Sequence, residues 1–218
     1  MNYLNQIQDF KENKNKIDNK VAIVGRGRWA QVILKEIQKN FPNIKKIYVY
    51  SRFFKKNKIS FNKKVAYVNS IQSIKNNYIK HIIFASRSRN NFYLLKKFLG
   101  GKTFLLCEKP LLTDVVGIKN LLTFSRKNLN NITVSMQYFY AFYFYYINKN
   151  FINKKNIQKI LFEWFDKKNE KRYGQIKRHD YNINQIEDVF YHFYIILKSS
   201  TKIDNLQIKG KVKNLKNI

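Results

Sequence analysis

Four apolar residues, Val21-Ala-Ile-Val24, run directly into Gly25-Arg-Gly27 and then into a helical pattern from Trp29 to Gln38. A short run of that composition suits a strand buried on both faces, and a helix returning from its end opens a strand–helix–strand unit. The following sequence keeps the same rhythm. Pro42 and Asn43 mark a turn, a second strand spans Ile44 to Tyr50, and a third spans Val65 to Val68. A helix from Ile71 to Asn77, a strand from His81 to Ala85, a helix from Phe92 to Phe98 and a strand from Thr103 to Cys107 continue it. A helix over Thr113–Lys127 and a sixth strand over Ile132–Tyr138 follow. This alternation predicts an α/β domain over residues 21–138, a doubly wound parallel sheet covered on both faces.

Residues 1–20 form a polar leader, and beyond Tyr138 the alternation stops. An aromatic stretch, a Lys/Asn-rich turn, a strand at "IQKILFEWF" and a helix over Asn184–Leu197 predict a smaller α+β region over residues 139–218. We assign that region to substrate binding or self-association, with a homo-oligomer as one option.

The formal net charge of +30 raises the question of an anionic partner. Lysine dominates the excess, it is dispersed along the chain, and it accompanies abundant Asn, Ile, Tyr and Phe, as AT-rich codon usage would produce. That dispersal argues against a nucleic-acid surface, which concentrates charge on one face. The single cysteine, Cys107, excludes an internal disulfide and fits a reducing cytoplasm. No stretch approaches the roughly 20 apolar residues of a membrane helix, and "YFYAFYFYYI" is too short and too rich in hydroxyls. The three histidines lack metal-ligand spacing, so no metal is expected. His81, opening a strand, reads as structural.

A glycine turn between a first strand and a first helix suits a dinucleotide. One glycine permits the tight turn, a second lets the backbone approach a pyrophosphate, and a third small residue lets helix and strand pack closely. Gly25, Gly27 and Ala30 supply these parts, and Arg28 and Trp29 begin the helix whose N–H groups and dipole face an anion. An Asp or Glu at the end of the second strand would grip the ribose hydroxyls of NAD. Ser51 and Arg52 stand there instead, which favours the 2′-phosphate of NADP, with NAD the alternative. Ser86 and Arg87, after the fourth strand, complete the expected cofactor contacts.

A more specific signal is "HIIFASRSRNNFYLLKKFLGGKTFLLCEKPLLTD", whose order of strand, loop, helix, paired glycines, strand and Glu108-Lys109-Pro110 resembles the Gfo/Idh/MocA oxidoreductases. Asp188-Val-Phe-Tyr-His192 matches that family's Asp-x-x-x-His, a spacing that puts both side chains on one helix face. The resemblance implies a nicotinamide-dependent oxidoreductase acting on a C–O or C–N centre of a sugar, cyclitol or biosynthetic imine. It implies that Glu108 and Lys109 line the cofactor site and that Lys109 holds the reacting oxygen. His192 would exchange the proton, and Asp188 would orient the substrate or the imidazole. The chain departs from the pattern at Arg87 and Asn91, where Pro and His are usual, and in a shortened C-terminal region. Two other classes stay open: a polyanion-binding protein on the same scaffold, and a paralogue that binds cofactor without catalysis.

Overall fold

A computed structural model describes residues 19–51, 63–86, 91–99, 102–111, 116, 119–120, 123, 132–135, 161–164, 171–172, 175–176, 189–194 and 196. The chain divides into two compact units between Ser135 and Met136.

The first unit holds six strands: β1 (Lys20–Val24), β2 (Lys46–Tyr50), β3 (Val65–Val68), β4 (His81–Phe84), β5 (Phe104–Glu108) and β6 (Ile132–Ser135). They form one parallel sheet in the order β3-β2-β1-β4-β5-β6. Among the described residues, the helices α1 (Arg28–Asn40), α2 (Ile71–Asn76) and α3 (Asn91–Lys96) accompany it. The strand order reverses between β1 and β4, and in open α/β sheets that is where ligands sit.

Successive side chains of β1 supply both faces. Val21 and Ile23 pack with Ala30, Leu34 and Ile37 of α1, while Ala22 and Val24 pack with Ile71 and Ile74 of α2 and Leu94 and Leu95 of α3. The α1 positions recur at helical spacing, so one stripe of that helix is buried. Phe84 meets Phe98 edge-to-face at 6.2 Å, and each large apolar side chain so buried contributes about 1.5–3 kcal/mol. Ser70 caps α2, its hydroxyl accepting from the Gln72 N–H at 3.1 Å. His81 stacks on its β5 neighbour Phe104 at 5.4 Å, a packing role.

The doubly wound sheet is as expected from the sequence, with shifted ends. The first helix starts one residue earlier, at Arg28, and the fifth strand runs one residue further, to Glu108, because Glu108 pairs with Ser135 of β6. Of the predicted helix over Thr113–Lys127, residues 116, 119, 120 and 123 are described, and all are helical. The predicted continuation of β6 through Tyr138 lies outside the described residues.

In the second unit, β7 (Lys171–Arg172) pairs antiparallel with β8 (Gln175–Ile176), and residues 189–194 are helical. The expected strand at "IQKILFEWF" is corrected over its described part: residues 161–164 form no ladder. Leu161 and Glu163 are exposed while Phe162 and Trp164 are partly buried, the alternation of an extended chain. The inward pair packs against aromatic rings of the 189–194 helix, so a helix satisfies the pattern that a strand partner would otherwise meet.

Among the described residues no helix is long and apolar enough to cross a membrane, and no group of three His, Cys, Asp or Glu could hold a metal.

Candidate functional site

The two glycines of the first turn have different surroundings. Gly25 sits at φ +130°, and a Cβ built there would lie 2.7 Å from the Ala85 carbonyl oxygen and 2.8 Å from its carbon. Only glycine tolerates both conditions. Gly25 is thereby wedged between strands: its N–H donates to the Tyr50 carbonyl at 2.9 Å, and the Ala85 N–H donates to the Val24 carbonyl at 2.9 Å. The carboxyl ends of β1, β2 and β4 are stitched together around it.

Gly27 has an ordinary extended backbone, φ −65° and ψ 177°, and caps α1 without a side chain. A Cβ there would meet nothing within 4 Å. Its carbonyl accepts the first helical bond, from the Gln31 N–H at 3.1 Å, while the preceding N–H groups of the first turn have no partner within the helix. An open cradle over an uncapped helix N-terminus is what a phosphate requires. Ala30, 1% exposed, provides the close helix–strand contact.

Trp29, partly buried in the first turn of α1, reaches across to the last residue of β5. The Glu108 carboxyl lies near the Trp29 indole and the Ser135 side chain and beside the Lys109 charge, all of which favour its ionised form. The Trp29 indole nitrogen is fully buried, and its contact with Glu108 is looser than an ideal hydrogen bond. Burial nevertheless dominates and holds the Glu108 carboxyl above the usual carboxylate range. Lys109 is half-buried, Pro110 is buried, and the peptide bond between them is cis. Cys107, fully buried, has its thiol pushed up to about 12 by burial and then by Glu108, so it is no nucleophile.

The raised Glu108 value has a consequence for stability. A carboxyl that stays protonated longer in the folded chain favours folding below its ordinary value, about 4.3, and loses that contribution as pH rises through the raised one. Glu108→Gln, neutral at every pH, should therefore melt increasingly above the parent protein as pH is raised from about 4 to 8. Thermal melts across that range check the slope; a constant difference refutes it.

A cavity of about 520 Å³ shares Tyr50 with the glycine turn, and its lining includes Asn69, Ser70, Gln72, Lys75 and Lys97. Nothing in the local sequence pattern singled these residues out, nor Ser135, because they meet only through the order of the strands. Ser51, half-buried, donates its N–H to the Val68 carbonyl at 3.1 Å, and Ser86 follows Ala85 at the end of β4. The structure thus gathers Gly25, Gly27, Arg28, Trp29, Ala30, Ser51, Ser86, Glu108 and Lys109 at the carboxyl end of one sheet. Arg52, Arg87 and Asp188 lie outside the described residues. His192, in the second unit, is 5% exposed and stacks on Trp164.

The fold and this turn define a dinucleotide-binding Rossmann domain. The family model described as "Oxidoreductase family, NAD-binding Rossmann fold" matches residues 19–136, more than half of the chain. The chain belongs to that family, Gfo/Idh/MocA. No curated protein sequence matches it. Among solved structures it is similar to a myo-inositol dehydrogenase from Corynebacterium glutamicum, with 17% identity over 62% of this chain and 40% of that one, TM-score 0.51. It is also similar to scyllo-inositol dehydrogenase from Lactobacillus casei with bound NAD(H) and scyllo-inositol, with 16% identity over 60% and 39%, TM-score 0.50. A myo-inositol 2-dehydrogenase from Lactobacillus plantarum gives 14% identity over 60% and 40%, TM-score 0.51. The matched part spans about two fifths of each of these relatives, and the likeness concerns the fold.

Proposed function

We propose that this chain is an NAD(P)-dependent oxidoreductase, NADP favoured, acting on a C–O or C–N centre of a small polar metabolite such as a sugar, a cyclitol or a biosynthetic imine. The observation that carries the reading is the connection of the open Gly27 cradle, through Trp29, to Glu108-Lys109 at the end of β5. Gly27 and Lys109 thereby share the carboxyl end of one sheet, which supports a cofactor lying along it.

The residues present fit a dinucleotide. Gly27 and the first turn of α1 would hold the pyrophosphate, and the cavity beside Tyr50 would take the adenosine half. Ser51 and Arg52, with no acid beside them and with Lys75 and Lys97 in the cavity lining, support a 2′-phosphate there. When bound, the nicotinamide supplies the hydride donor or acceptor. Lys109 holds the substrate oxygen or nitrogen that gains or loses a proton. His192 would act as the acid/base, taking up the substrate's proton in the oxidative direction and returning it in reduction. Asp188, four residues before His192 in the sequence, would orient the substrate or the imidazole.

Titrating the purified protein with NADPH and NADH, following nicotinamide fluorescence at two salt concentrations, tests this reading. We expect saturable binding with NADPH tighter by about 10- to 100-fold, the worth of charge-assisted hydrogen bonds to the extra phosphate. Binding that tracks salt alone, without saturation, would overturn it in favour of a polyanion surface.

A further inference from the structure

We infer that Trp164 is the positioning residue for His192, fixing the plane of its imidazole and raising its affinity for a proton. The inference rests on the proton-exchanging role proposed above for His192. The two rings stack with centroids 5.4 Å apart and an interplanar angle of 10°. Trp164 is held in turn: Phe193 meets its indole edge-on at 6.3 Å and 74°, and Phe162 stacks on Phe193 at 4.7 Å and 24°. One short extended segment, residues 161–164, therefore presents both its inward side chains to one turn of the 189–194 helix.

This geometry acts on a proton-exchanging histidine in two ways. Face-to-face packing restrains ring rotation and leaves both ring nitrogens, which lie in the plane, at the edge of the stack and clear of the indole. The indole face also carries negative electrostatic potential, so it stabilises the imidazolium more than the neutral ring. That opposes the desolvation of a histidine only 5% exposed, which disfavours its charged form. The titratable side chains on these two elements, among the described residues, are Glu163, which is exposed, and Tyr191 and Tyr194. Carboxyl and phenol groups titrate ordinarily near pH 4 and 10, so a transition between about pH 5.5 and 8 belongs to an imidazole.

The test uses the full chain and needs no substrate. The protein has two tryptophans, so Trp29→Phe leaves Trp164 as the sole indole emitter. Because an imidazolium quenches a stacked indole, emission should rise about twofold between pH 5.5 and 8, and His192→Gln should remove the transition. In histidine-labelled protein with Trp29 intact, NMR titration should show the His192 midpoint falling by about half a unit in Trp164→Leu and mostly retained in Trp164→Phe. A flat emission curve overturns the inference, as does an unmoved midpoint in a Trp164→Leu protein that melts like the parent. Should Trp164→Leu fail to fold, the emission arm decides alone, since it keeps Trp164. A chain that shows the titration but binds no NADPH overturns the oxidoreductase reading and leaves the Trp164–His192 coupling standing.

Discussion

Gly27→Asp abolishes NADPH binding and leaves the melting temperature unchanged or slightly raised. The position tolerates a side chain sterically, since a Cβ meets nothing within 4 Å and the backbone is extended. Aspartate is also a better helix N-cap than glycine, by a few tenths of a kcal/mol, because its carboxylate accepts from the N–H groups of the first turn. Those are the same N–H groups that the pyrophosphate needs. The new carboxylate would stand about 4 Å from a phosphate, a repulsion of roughly 4 kcal/mol at an effective dielectric constant near 20, or about a thousandfold in affinity. Gly27→Ala, without the charge, should lose considerably less. A fluorescence titration together with a thermal melt reads both halves. Near-parental binding in Gly27→Asp would leave the turn with no ligand role.

Gly25→Ala gives the opposite result: the loss falls on stability rather than on a ligand contact. The substitution forces φ +130° on a residue with a Cβ and drives that carbon to 2.7 Å from the Ala85 carbonyl oxygen. The positive φ costs about 1–3 kcal/mol and the overpacking about as much again. The clash is with backbone, so no side chain can swing aside; it pushes β4 from β1 at the point where the strand order reverses. For a chain of this size a total of about 4 kcal/mol lowers the melting temperature by roughly 8–16 °C. Calorimetry or circular dichroism of the variant checks this. A melt within about 2 °C of the parent would mean that the turn rearranges at little cost.

The contrast between these glycines shows how far the sequence reading reached. In the sequence they are two identical residues on either side of Arg26. That Gly25 is wedged while Gly27 faces open space follows from Ala85, which lies sixty residues further on and reaches Gly25 only because β4 pairs with β1. The same holds for Trp29. Its place in the first helical turn was legible, but Glu108, which it shares with Ser135, lies at the end of another strand. Ring stacking between Trp164 and His192 had no local signature, and the alternation at 161–164 pointed to a strand where the chain packs on a helix.

What the amino-acid sequence determined alone was everything governed by a short window. The apolar run and glycine turn before α1, the strand–helix alternation, the family's Glu108-Lys109-Pro110 and the absence of an acid after β2 all depend on neighbours within a few residues. Only the tertiary structure decided which strands lie side by side, which glycine is wedged and which faces open space, and which carboxyl is buried against an indole. Backbone sterics and side-chain periodicity act locally and leave their mark in sequence order; packing and desolvation depend on residues far apart in the chain, and they take effect only when the sheet assembles.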